Sequence, residues 1–252
     1  ISFMSLYDAV GATTKSGGRA RRAAIMMVMP VSHPDIMEYI ECKKTDDVLS
    51  NMNISVSIPD DFMRAFKDNI PYQLVSPSNG VVKEINARQI WDKLVDMAHK
   101  TADPGVLFID TINKFNPLKK IVKIEAANPC GEQPLIPFTS CNLSSINVHK
   151  FCNKGEYSFD ELYDVAYSVT KLMDNLVDNM DFPDERFKVN VLKYRPIGVG
   201  IMGLSDTLFE MDLPYDSKEG QQFAENIMKT VTTACIEASA DMAKEKGKFH
   251  DY

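Results

Sequence analysis

Asn128-Pro129-Cys130-Gly131-Glu132-Gln133-Pro134, followed by Ser140-Cys141-Asn142-Leu143-Ser144-Ser145-Ile146-Asn147, is the stretch on which the reading of this chain turns. In an extended backbone residues i, i+2 and i+4 point to one side. Asn128, Cys130 and Glu132 would then offer an amide, a thiol and a carboxylate to one small volume. Pro129, Gly131 and Pro134 suit a rigid loop and disfavour long regular pairing. Cys141 is close enough in sequence to return on a neighbouring strand. The plain alternative is a proline-glycine turn around a structural thiol, because a free Cys usually behaves as a small hydrophobe. Cysteine-protease chemistry would need a histidine to activate the thiol, and the nearest, His149, reads as a surface loop residue.

Helical and extended signals alternate on both sides of this stretch. Upstream, 2–15 reads as a helix ended by Ser16-Gly17-Gly18. A buried strand over 24–31 carries Ile25, Met27, Val28 and Val31, and a short helix runs from Pro34 to Cys42. Asn53-Ile54-Ser55-Val56-Ser57 alternates as a strand, and Pro59 opens a helix with Asp60 and Asp61 at its positive end. Residues 70–86 read as a polar hairpin around Ser78-Asn79-Gly80. Helix 87–101 places Ile90, Trp91, Leu94, Val95 and Ala98 on one face.

Downstream, Ser158-Phe159-Asp160-Glu161 is a capping box in which Ser158 and Glu161 each satisfy a free backbone donor. It opens a helix to Met180 with Leu162, Val165, Val169, Leu172, Met173, Leu176 and Met180 along one stripe. Arg195 to Gly203 reads as an apolar strand entering a tight turn, and a last helix over 217–246 stops at Gly247. No repeat, low-complexity segment or linker divides the chain, so one mixed α/β domain over 1–252 is expected.

The composition is that of a globular protein, 44% hydrophobic and 25% charged. A net charge of −7 argues against a general nucleic-acid binder, which needs an excess of Lys and Arg on one face. No apolar run approaches the roughly 18 residues of a membrane span, and the start at Ile1-Ser2-Phe3 shows neither a signal peptide nor an initiating Met, which points to a fragment. Cys42, Cys130, Cys141, Cys152 and Cys235 lie far apart with no CxxC spacing, as expected for free thiols in a reducing cytoplasm. The four histidines show no metal-binding spacing, so no protein-bound metal is expected.

Asn-Pro-Cys-Gly-Glu-Gln-Pro-Leu (128–135) with Ser-Cys-Asn-Leu-Ser-Ser-Ile-Asn (140–147) resembles the active-site finger loop of ribonucleotide reductase catalytic chains, in the form typical of the adenosylcobalamin-dependent (class II) kind. Four further blocks agree in order: 16–24 resembles the specificity loop, His33-Pro34-Asp35-Ile36 and 51–56 resemble flanking blocks, and 195–206 a block after the finger loop. The resemblance implies the central part of a ten-stranded α/β barrel made of two five-stranded halves, with the finger loop inside. It implies radical-based reduction of ribonucleotides to 2′-deoxyribonucleotides for DNA synthesis.

By that family pattern Cys130 becomes the thiyl radical that takes the 3′ hydrogen, in a site closed to water and stray reductants. Glu132 takes the 3′-OH proton and Asn128 holds the sugar hydroxyls. Cys141 is one of the reducing pair that ends as a disulfide. Phe3 is implied to lie near the base of a deoxynucleotide effector, and Gly17, Gly18, Arg19, Arg21 and Arg22 to belong to the loop that passes information from the effector to the substrate base, whereas Cys42, Cys152, Cys235 and the glycines of 198–203 are taken as structural. The implied cofactor is adenosylcobalamin, with a dithiol such as thioredoxin as reductant; the implied partners are a ribonucleotide, the effector and a second copy of the chain, without nucleic acid or membrane.

Four family features are expected outside 1–252: the second reducing Cys and the first effector loop upstream, and a phosphate loop and a C-terminal cysteine pair downstream. Residues 1–252 alone are therefore expected to be inactive. A class I large subunit, whose radical comes from a partner protein, and an inactive split-gene or assembly piece remain as alternatives; the Gly-Glu-Gln-Pro wording after Cys130 favours class II.

Overall fold

Two parallel strand arrangements carry the architecture, one in each of two units, Ile1–Pro137 and Phe138–Tyr252, described separately below. The computed structural model describes residues 1–16, 21–45 and 48–250, with backbone alone at 15, 16, 21 and 22.

The first unit opens with helix α1 (Ser2–Thr13), a two-residue antiparallel ladder β1 (Lys15–Ser16) and β2 (Arg21–Arg22), and strand β3 (Ile25–Pro30). Helix α2 (Ile36–Glu41) leads to β4 (Met52–Ile58), then α3 (Asp60–Asp68), the hairpin β5 (Pro71–Ser76) and β6 (Gly80–Asn86), and α4 (Ala87–Thr101). Strand β7 (Gly105–Phe108), helix α5 (Ile109–Phe115) and the short β8 (Ala126–Ala127) and β9 (Pro134–Leu135) complete it. The sheet is parallel in the order β3-β4-β7, with Ile25 opposite Met52 and Ser55 opposite Gly105.

As the central strand, β4 does not alternate. Every residue from Met52 to Ile58 is buried except Asn53, as is usual for the central strand of a parallel sheet, which is covered on both faces. Ile54, Val56, Ile58, Phe62, Leu74 and Ile90 form one core. Burying side chains of this size stabilises the fold by about 1.5–3 kcal/mol each. Phe62 meets Tyr72 edge-on at 5.1 Å. The buried Tyr39 hydroxyl lies 2.7 Å from the Met27 carbonyl and 3.2 Å from that of Ser55, joining α2 to β3 and β4. Burial pushes that hydroxyl's pKa well above the usual tyrosine range. On α4 the buried positions are Ala87, Ile90, Leu94 and Met97, whereas Val95 is exposed, contrary to the face read from sequence. Leu94 and Met97 are three apart and share the inward face; Val95 lies a single residue round the helix from Leu94.

The second unit begins with β10 (Asn142–Asn147), a 3-10 turn (Val148–Phe151) and the ladder β11 (Cys152–Asn153) with β12 (Glu156–Tyr157). Helices α6 (Phe159–Asp178) and α7 (Glu185–Tyr194) lead to β13 (Ile197–Met202), α8 (Leu204–Glu210) and the long α9 (Lys218–Lys246). Strand β13 runs parallel to β10, with Asn142 opposite Ile197 and Asn147 opposite Met202. Leu162 and Ala166 of α6 pack with Ile227, Val231 and Ala234 of α9 over Ile146.

The buried stripe of α6 is Leu162, Ala166, Thr170, Met173, Asp174 and Val177; Val165, Leu172 and Leu176, expected on it, are exposed. The helix is apolar on more than one side, and packing on α9 selects the side that bears Leu162 and Ala166. Half of the expected capping box forms. The Glu161 amide donates to Ser158 Oγ at 3.3 Å, but the Ser158 amide donates to the Phe151 carbonyl at 3.0 Å, so the Glu161 carboxylate is not needed there. Arg195, left-handed at φ 47°, closes α7 and holds Asp174 at 2.7 Å and Asp178 at 2.7 Å; Lys246 reaches Asp174 at 3.1 Å. These pairs join α6, the entry to β13 and the end of α9.

Gly203, at φ +79°, turns the chain from β13 into α8, and a Cβ there would lie 2.6 Å from Asn147 Oδ1. That oxygen accepts from the His149 amide and caps the 3-10 turn. Gly203→Ala is expected to destabilise the protein by about 3 kcal/mol, combining left-handed strain of roughly 1–2 kcal/mol with loss of the cap. Urea unfolding of the variant checks this, and an unchanged midpoint would show that the turn tolerates a side chain.

Candidate active site

The Asn128–Pro134 stretch is a tight loop, not an extended strand. Strands β8 and β9 pair antiparallel through Ala126–Leu135 and Ala127–Pro134 only, and the Asn128 amide donates to the Gln133 carbonyl at 3.3 Å across the loop they enclose. Within it the Gly131 amide donates to the Asn128 carbonyl at 3.0 Å. Asn128 to Gly131 thus form a β-turn with Pro129 second, where its fixed φ is favoured, and Cys130 third. Gly131 has φ +88°, a conformation that side chains disfavour.

The alternation expected for Asn128, Cys130 and Glu132 therefore does not occur, because the turn reverses the chain within four residues. The same turn produces a contact that alternation would not. Asn128 Nδ2 donates to Glu132 Oε1 at 2.7 Å, and Asn128 Oδ1 accepts from the Gln133 amide at 2.9 Å. One carboxamide thus braces the loop and orients the carboxylate. Cys130 and Glu132 are exposed and Asn128 is half-buried, so in this unit the thiol is presented to solvent and not enclosed.

One further side chain reaches the loop. Asn53, on β4, donates from Nδ2 to the Pro129 carbonyl. Asn53 falls on the strand expected over 53–57 and has no role expected from sequence; its signal there is an amide standing in a run of otherwise apolar and small residues.

In the second unit Cys141 lies just before β10, half-buried, with Sγ 3.6 Å from the Asn142 carbonyl. Burial pushes its thiol pKa up, which keeps it protonated at neutral pH. His149, expected on a surface loop, is in the 3-10 turn and bonds Glu210 of α8 at 2.7 Å. All five cysteines are free. Burial raises the thiol pKa of Cys42 and Cys152, and Cys235 lines an apolar cavity of about 700 Å³ with Val199, Val231 and Ile236. Of the expected effector contacts, Phe3 is exposed on α1; Gly17, Gly18 and Arg19 lie outside the described residues, and Arg21 and Arg22 are described only as β2 backbone. Among the described residues no helix is long and apolar enough to cross a membrane.

Residues 1–252 match the family model described as ribonucleotide reductase, barrel domain. The chain belongs to that family. It is 42% identical over 252 residues to a vitamin B12-dependent ribonucleoside-diphosphate reductase of Thermoplasma acidophilum, which covers 99% of this chain and 33% of the relative. A reductase of the same name from Mycobacterium tuberculosis is 38% identical over 251 residues, 99% of this chain and 36% of the relative. The vitamin B12-dependent ribonucleotide reductase of Streptomyces coelicolor is 34% identical, with 100% and 29% covered. The chain thus spans about a third of the length of the curated relatives it matches. The α/β class expected from sequence agrees with this ribonucleotide reductase barrel family and with the mixed helices and parallel strands of both units.

Proposed function

We propose that the whole protein reduces ribonucleotides to 2′-deoxyribonucleotides by a radical route that starts at Cys130. The observation that carries this reading is the turn itself: it presents an exposed thiol beside a carboxylate that a neighbouring amide holds in place. The end-to-end family match supports it, and supports treating residues 1–252 as part of one barrel domain.

Cys130, as a thiyl radical, removes the 3′ hydrogen of the ribose. Glu132 accepts the 3′-OH proton, which drives electron density towards C2′, so that the protonated 2′-OH leaves as water. Asn128 fixes the Glu132 carboxylate and offers an amide to the sugar oxygens. Cys141 and a second thiol supply two electrons and two protons, one proton to the departing 2′-OH and one to C2′, and become a disulfide; Glu132 returns its proton to the 3′ oxygen, and Cys130 returns its hydrogen to C3′. The raised pKa of Cys141 suits a group that must store a proton.

Adenosylcobalamin fits as the cofactor because the Cys130 thiol is exposed on its loop and open to a large group, and the relatives' names support it. When bound it supplies the hydrogen-atom acceptor for that thiol; the face of the loop bearing Pro129 and Cys130 would meet it, with most of its contacts made by other parts of the protein. The relatives' names favour a diphosphate substrate. A deoxynucleotide effector at Phe3 and residues 17–22, a thioredoxin-like reductant, a homodimer and a cytoplasmic location complete the proposal, the last supported by five free thiols.

The full-length parent chain is expected to reduce ribonucleotides with adenosylcobalamin and a dithiol alone. An enzyme silent under those conditions but activated by a separate radical-generating subunit would move the assignment to class I, leaving the roles of Cys130, Glu132 and Asn128 intact.

A further inference from the structure

We propose that Asn53 is a positioning residue for Cys130, anchoring the thiol-bearing turn to the parallel sheet; this rests on the radical role given to Cys130 above. Bonds within the loop, the Asn128 amide to the Gln133 carbonyl among them, hold the turn together, and a further bond ties it to the sheet. The Gly131–Asn128 bond and the bonds of the Asn128 carboxamide lie within the loop, and they fix its shape but not its placement. The bond from Asn53 Nδ2 to the Pro129 carbonyl spans 76 residues of sequence and ties the loop to β4.

Both ends of that tie are stiff. Asn53 sits on the central strand, paired with Met26 on β3, and its neighbours Met52 and Ile54 are buried. It is the single exposed residue of β4, and its amide is spent on the loop. At the other end, the Pro129 carbonyl belongs to the peptide plane shared with Cys130. The proline ring fixes φ on one side of that plane, so a donor on the carbonyl sets Pro129 ψ and with it the orientation of the peptide plane from which the Cys130 Cα departs. Strand β8, which leads into the loop, lies against β3 and brings the turn within reach of this amide.

A reaction that passes a hydrogen atom between sulfur and carbon depends steeply on their separation, and a displacement of about 1 Å at a reacting group costs on the order of 100-fold in rate. Losing the tie leaves the turn intact but free to rock on the sheet.

The test uses the full-length enzyme carrying Asn53→Asp, which keeps size and removes the donor, with Asn53→Ala and Asn53→Gln alongside. Asn53→Asp is expected to lower kcat about 30-fold while KM for the ribonucleotide stays within about twofold and the melting temperature is unchanged. Asn53→Ala should match it, and Asn53→Gln, which retains a donor, should recover at least about fivefold of the loss. A kcat for Asn53→Asp within about twofold of wild type overturns the inference, as does a loss of kcat that merely follows a loss of folded protein and nucleotide binding. If Asn53→Asp does not fold, the same criteria apply to Asn53→Ala. Cys130→Ser, assayed in parallel, separates the two levels. An active Cys130→Ser enzyme removes the reading beneath, whereas an active Asn53→Asp beside an inactive Cys130→Ser overturns the role of Asn53 alone.

Discussion

Cys130→Ser in the full-length enzyme is expected to abolish deoxynucleotide formation while leaving nucleotide binding nearly unchanged. The substitution replaces one atom at an exposed position of the turn, and Asn128, Gly131, Gln133 and Asn53 keep their bonds. Binding and folding should therefore survive. What is lost is a hydrogen atom weakly enough held to be exchanged with carbon, since the serine O–H bond is much stronger than the S–H bond. An added barrier of even about 5 kcal/mol removes between three and four decades of rate. Steady-state product formation, with nucleotide binding measured separately, checks the result. Turnover within about tenfold of wild type would end the assignment of Cys130.

Cys141→Ser is expected to act differently, and the difference tests the division of labour between the two thiols. Cys141 is half-buried and held protonated by burial, as a store of reducing equivalents should be. With serine there, Cys130 can still remove the 3′ hydrogen and Glu132 can still accept a proton, but the intermediate is not reduced. Multiple turnover should fall below about one-hundredth of wild type, with release of free base as the intermediate decays. Thiol counting after one turnover of the unmodified enzyme provides the sharper measurement. Cys141 remaining reduced while another pair oxidises would show that its role belongs elsewhere.

The local grammar of the chain was readable from residues alone wherever a repeat or a turn residue controlled it. The limits of α4 follow the apolar period between Asn86 and the left-handed Ala102; Gly80, Gly203 and Gly247 stand where the backbone takes positive φ. Five ordered blocks carried the family resemblance, and the match over residues 1–252 agrees with it. Periodicity is a property of neighbouring residues, so no knowledge of distant partners is needed to see it.

Tertiary structure decided which of several apolar sides each helix buries and which polar groups meet. On α6, Leu162 and Ala166 turn inward against Ile227, Val231 and Ala234 of α9, while Leu172 and Leu176 stay exposed. The Ser158 amide finds the Phe151 carbonyl instead of Glu161. Asn128 meets Glu132 through a turn, where strand alternation had been expected, and Asn53 reaches Pro129 across 76 residues. Such pairings depend on how the chain closes on itself. Sequence spacing carries no record of a partner brought close only by the packing of everything between, and that is why the Asn53 amide on the Pro129 carbonyl became visible only in the fold.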